Sequence, residues 1–169
     1  MTNKKRLKVV LGYLYTQLQT TVHKFWICYY TLKYCFNSKY KNQKTKLFLR
    51  SIIHDFSKYG WTEAKGFATT IFDLKTSTYG TDEYKELLAK IKPCLDHHYS
   101  KNRHHPEFYE SGIEGMMELD KIEMVIDWRA ATRRHKDGDI YKSLEINQKR
   151  FGYSDKDKEY LKSIVETIV

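Results

Sequence analysis

The sequence predicts an all-α fold, and three observations carry that expectation. Apolar residues recur at three- and four-residue spacing through most of the chain. Sustained period-two alternation is missing, and the Asp-Gly at 137–138 falls between helical stretches rather than β-branched runs. Two prolines and eight glycines leave few breaks in 169 residues. With 41% hydrophobic residues, no Ser/Gly-rich linker and no repeat, the expectation is one compact helical domain over residues 1–169.

The elements follow in order. Residues 5–36 carry Leu, Val, Tyr, Phe and Trp at mixed helical spacing, as one long helix or two in succession. Across 44–58, Phe48, Leu49, Ile52, Ile53 and Phe56 keep helical spacing, and Gly60 marks a stop. Thr62-Glu63 opens a helix through Leu74, and Thr81-Asp82 caps one that runs through Lys92 toward a histidine cluster. The stretch from Ile113 to Arg134 places Met117, Met124 and Ala131 on one stripe, and helices at 139–150 and 154–168 finish the chain. Trp26, Trp61 and Trp128 are expected in the core.

Charge and cysteine usage narrow the class. A formal charge of +9 favours an anionic partner, namely a nucleotide, a nucleic acid or a membrane surface, although a lysine-rich solvated surface has the same composition. Three cysteines without CxxC spacing give neither a disulfide framework nor a cysteine zinc site, and the expected setting is a reducing one, the cytoplasm. The N-terminus is basic and then apolar, but Gln17, Gln19, His23 and Lys24 interrupt any run long enough for export or spanning.

Polar residues then stand where a bundle wants apolar ones. In SIIHDFSKY, His54 and Asp55 end a hydrophobic helical run. Asp127 lies three residues after Met124 and four before Ala131, an acid on the apolar stripe. A buried carboxylate protonates, pairs with a cation or binds a metal. Asp127 alone also suits an ion pair with Arg129, Arg133 or Arg134, and a lone helical histidine such as His23 is more often a satisfied core or surface group. Together, two imidazoles and two carboxylates from three distant helices suit a divalent ion such as Mn, Fe, Co, Ni or Zn. Finally, HHYSKNRHH gathers four of the seven histidines, His97, His98, His104 and His105, within nine residues. It reads as a phosphate-binding group with Lys101, Asn102 and Arg103, or as a solvated polar loop. Glu107, which follows that cluster, offers a carboxylate to orient an imidazole.

These blocks resemble the HD-domain superfamily of metal-dependent phosphohydrolases. More closely, HDFSKYGWTE, HHYSKNRHHPE and IEMVIDWRAATRR resemble a family of small HD-like proteins of bacteria, phages and large viruses whose signature is HDxSK, NxHHPE and EMxxDW. The resemblance implies an HD-type helical bundle with its metal core at about residues 20–135 and C-terminal helices over 139–168. It implies His23, His54, Asp55 and Asp127 as ligands of one ion, with one histidine from each of the pairs 97–98 and 104–105 for a second. The implied activity is hydrolysis of a nucleotide or related phosphate ester, with Asp55 in the catalytic set and Lys58 and Arg103 stabilising phosphoryl charge. Two further readings fit the same donors: a di-iron oxygenase of the same superfamily, and a metal-stabilised nucleic-acid or protein-binding module in which tyrosines stack on bases. An oligomer is compatible with each.

Overall fold

The structure, a computed structural model, describes residues 3–38, 43–77, 81–134 and 138–169, apart from the side chains of Lys4 and Lys75. It is all-α: α1 (Asn3–Asn37), α2 (Lys44–Ile53), α3 (Trp61–Thr76), α4 (Asp82–Lys90), α5 (Lys92–Lys101), α6 (Glu118–Thr132), α7 (Ile140–Phe151) and α8 (Asp155–Ile168). Short 3-10 turns occupy Phe56–Tyr59, Pro106–Phe108 and Gly112–Gly115. No strand occurs among the described residues, and no described helix is long and apolar enough to cross a membrane.

The chain divides into two compact units, each made of two stretches of sequence. The first holds Met1–Val22 and Asp55–Lys101; the second holds His23–His54 and Asn102–Val169. Helix α1 therefore contributes to both.

In the first unit, the N-terminal part of α1 and helices α3, α4 and α5 surround a small interior containing Ala64, Ala68, Leu87 and Ile91. Close packing of α1 on α3 depends on Gly12, where an added Cβ would lie 2.1 Å from the Ala68 carbonyl oxygen. The helix expected to run through Lys92 is instead two, α4 and α5, parted at Ile91. Pro93 explains the break, because it has no N–H for the α-helical ladder and is tolerated only in a first turn. Thr81 caps α4 as expected, accepting from the Tyr84 amide at 3.3 Å. Trp61, expected in the core, opens α3 with 71% of its surface exposed.

The second unit carries the larger apolar core. Ile27, Leu47, Met124, Ile126, Leu144, Leu161, Val165 and Ile168 are all buried in one cluster, with Trp26 and Trp128 packed at its edge. Helix α6 is buried on nearly every side and starts at Glu118, later than the expected Ile113, because a 3-10 turn and an extended Met117 precede it. Met117 is accordingly half exposed, whereas Met124 is fully buried. Ser154 caps α8, accepting from the Asp157 amide at 3.1 Å, and Gly152 closes α7 at φ +67°, a conformation other residues rarely adopt.

Helix α2 ends at Ile53, earlier than the spacing through residue 58 suggests. Asp55 takes a left-handed backbone at φ 53°, which no α-helix continues through, and the 3-10 turn begins after it.

Candidate metal centre and a second acid–histidine group

The predicted site residues are shared between the two units. In the second unit, α1 supplies His23, the end of α2 supplies His54, the turn after α5 supplies His104 and α6 supplies Asp127. His23, His54 and His104 are each almost fully buried. His54, His104 and Asp127 offer one ligand atom apiece, and those atoms lie within 4.8 Å of one another. The His54 and His104 rings are 4.2 Å apart between centroids, and His54 Nε2 lies 3.7 Å from Asp127 Oδ1.

Two carboxylates set the orientation and charge of this group. His54 Nδ1–H donates to Glu123 Oε1 at 2.9 Å, which leaves Nε2 as the atom turned toward Asp127. An imidazole fixed this way through its far nitrogen is the usual support of a metal-ligating histidine. His23 donates through Nε2 to Asp127 Oδ1 at 2.8 Å. Burial pushes the Asp127 carboxyl upward, but the hydrogen bond from His23 and the nearby His54 ring hold it well below the usual range. Glu123 is likewise raised by burial and brought below its ordinary value by the hydrogen bond from His54, then by the charges of His104, His54 and Arg50.

Behind these lies a third buried acid. Arg50 reaches Glu123 Oε2 at 2.5 Å and Asp120 Oδ1 at 2.6 Å. Asp120 also accepts from Tyr109 at 2.6 Å and from Arg103 at 3.3 Å. Burial raises Asp120, and the bonds from Tyr109, Arg50 and Arg103 outweigh it, so its pKa falls. Burial and the same bond push the Tyr109 phenol up to about 12. Arg103, expected on substrate, is thus bound to Asp120 and lies over the Phe108 and Tyr109 rings.

The first unit holds its own acid–histidine group. Glu63, fully buried in the first turn of α3, accepts from His97 Nδ1 at 2.8 Å and from His98 Nδ1 at 2.9 Å. His98 Nε2 then faces Asp55 Oδ1 at 3.4 Å. Burial raises Glu63, and the hydrogen bonds from both histidines with the charge of His98 bring it down. Lys58 donates to Asp55 Oδ2 at 2.5 Å, so its ammonium is the counter-ion of that aspartate. Lys101 is exposed at the end of α5, and Asn102 opens the next stretch of the second unit.

Of the two histidine pairs, the structure buries His98 and His104 and leaves His97 and His105 half-buried. The segment is a loop only in its second half: His97 to Lys101 are helical, and Asn102 to His105 form a turn. Asp127 pairs with His23 rather than with an arginine; Arg129 and Arg133 lie over Tyr30 and Trp26 instead. Glu107, expected to orient an imidazole, pairs with Arg150 at 2.7 Å. The carboxylates that do orient imidazoles are Glu63 and Glu123. Glu63 reads in sequence as an ordinary acid at a helix start, and Glu123 stands one turn before Asp127 in IEMVIDW, a spacing that puts both on one face.

Comparison with curated proteins and with solved structures yields no match. A family model, described as a family of unknown function, DUF5662, matches residues 15–169, and the chain belongs to that family.

Proposed function

We propose that this chain is a divalent-metal-dependent hydrolase acting on a nucleotide or related phosphate ester. The observation that carries the reading is the convergence of buried His54 and His104 with Asp127. Two imidazoles and one carboxylate are a fitting donor set for Mn, Fe, Co, Ni or Zn, and three protein ligands leave coordination positions for water and substrate. Asp127 keeps 14% of its side chain accessible, unlike a closed structural site.

When bound, such an ion lowers the pKa of its water and polarises a phosphoryl oxygen. The chain's own residues prepare for that chemistry. Glu123 fixes the His54 ring through Nδ1 and leaves Nε2 for the ion, while His23 keeps Asp127 ionised and aimed. Arg50 balances Glu123 and Asp120, which keeps the surrounding acids from repelling one another. The order of these groups in the chain, a histidine on the first helix, the His54-Asp55 pair and a later aspartate, supports an HD-type reading.

Elemental analysis of protein purified with and without air tests the metal, and release of p-nitrophenol from p-nitrophenyl phosphate, followed by a nucleotide panel, tests the reaction. The expected result is about one bound divalent ion, absent in Asp127→Asn and His54→Ala, with phosphate release that follows the ion. Iron together with oxygen consumption and no phosphate release would move the reading to an oxygenase. No metal after reconstitution would end both.

A further inference from the structure

Helix α1 has two apolar faces. Ile27 and Tyr34 lie on the buried one, alongside Thr16 and Thr20. The other is exposed. Leu7 and Phe25, Leu14 and Leu32, and Leu18 and Phe36 each stand eighteen residues apart, five full turns of an α-helix, so each pair shares one line along α1. Those six side chains are 42–83% exposed, and Leu11, Val22 and Tyr29 fall between them with 44–49% exposure. Ile27 is nine residues from both Leu18 and Phe36, two and a half turns, which sets the buried face opposite the exposed one. In the second unit, Leu49, Ile52 and Ile53 of α2 are also about half or more exposed. A row this long is far more than the scattered apolar residues of an ordinary surface.

The charge of this segment identifies what covers it. Of the chain's 30 Lys and Arg and 21 Asp and Glu, residues 1–54 hold eleven of the former and none of the latter, Asp55 being the first acid. The remaining 115 residues are therefore slightly acidic, and the whole net charge of +9 comes from the part that forms α1 and α2. A second copy seated on the same face would set two acid-free helices, each with six cations, against each other. Nucleic acid meets the charge, and single side chains can enter between its bases, but it has no continuous apolar phase to bury a row of nine side chains along one helix. A bilayer of anionic phospholipid satisfies both: acyl chains for the apolar row and headgroups for the lysines.

We propose that α1 seats this protein in the plane of an anionic membrane surface through its exposed Leu7-to-Phe36 row. The helix lies in the interface rather than through it, since no described helix is apolar enough to cross. Flotation of the full chain with vesicles of phosphatidylcholine alone, and with phosphatidylserine added, tests the proposal.

The expected result is roughly tenfold or greater enrichment on the phosphatidylserine vesicles, reduced by high salt and lost in the double variant Leu18→Glu/Phe25→Glu. Both replaced side chains are exposed, so the variant keeps the helical circular dichroism and melting curve of the parent. Binding that survives the double variant, or no binding to either vesicle, overturns the proposal. So does a dimer in light scattering that the double variant dissociates while neither vesicle is bound, which assigns the face to a second copy. Retention of duplex DNA without vesicle binding assigns the charge to nucleic acid and overturns it equally.

Discussion

Asp120 shows how a single residue couples the site to stability. It is fully buried and holds Arg50, Tyr109 and Arg103 at once, so replacing it with asparagine leaves the Arg50 guanidinium short of its partner. Breaking a buried ion pair on one side costs about 3 kcal/mol, and urea denaturation of Asp120→Asn is expected to show a loss of that order. The pH dependence has a defined sign. The folded pKa of Asp120 lies below the usual aspartate value of 3.8, so its contribution is complete above that value and disappears as pH falls through the folded one. The stability gap between wild type and Asp120→Asn is therefore constant near neutrality and closes below about pH 4; a gap that widens in acid would refute the assignment. Glu123 makes a different prediction: Glu123→Gln still contacts His54 but no longer holds it as a charged acceptor. Metal affinity, read by competition with a chelator, is expected to weaken about 10- to 100-fold.

The candidate ligands were partly legible in sequence for a physical reason. His54 and Asp127 are polar residues on apolar stretches, and that mismatch is visible without coordinates. Glu63, Glu123 and Asp120 were not legible as site residues, because an acid in the first turn or beside lysine suits any helix. Only tertiary contact shows what they hold.

At the scale of elements, helical periodicity located the helices well and their ends poorly. Helix α1 is continuous because its interior contains no proline and its one early glycine, Gly12, faces α3. The breaks at Asp55 and Ile91 depend on a left-handed residue and on a proline in the next first turn, local features that a spacing rule averages away. The Gly12 contact is testable on its own. Valine there would drive its Cβ into the Ala68 carbonyl, a backbone atom that cannot rotate aside. Gly12→Val is expected to lose about 1–3 kcal/mol from overpacking, while Leu11→Ala, on the exposed row beside it, changes stability by less than about 0.5 kcal/mol. Equal losses in the two variants would mean that α1 is not held against α3 by this approach.

For the whole molecule, the division into two units, each built from separated stretches, is poorly marked in sequence: no linker stands at positions 22, 54 or 101, and the first acid of the chain, Asp55, falls at one boundary only. By sequence stretch, Asp55, Glu63 and His98 belong to one unit, and His54, His104, Glu123 and Asp127 to the other. A ligand that binds only the folded protein stabilises it by mass action, by about 2.7 kcal/mol at a hundred times its dissociation constant. For a chain of this length each kcal/mol moves the midpoint by about 2–4 °C. Saturating Mn, Co, Ni or Zn is thus expected to raise Tm by about 5–10 °C, and a chelator to reverse it. The rise should vanish in Asp127→Asn and His104→Ala, whose side chains belong to the proposed donor set, and persist in His97→Ala, whose ring is half exposed and bonded to Glu63. A rise that persists in Asp127→Asn but vanishes in His97→Ala would place the ion in the first unit and remove the support for a centre at His54.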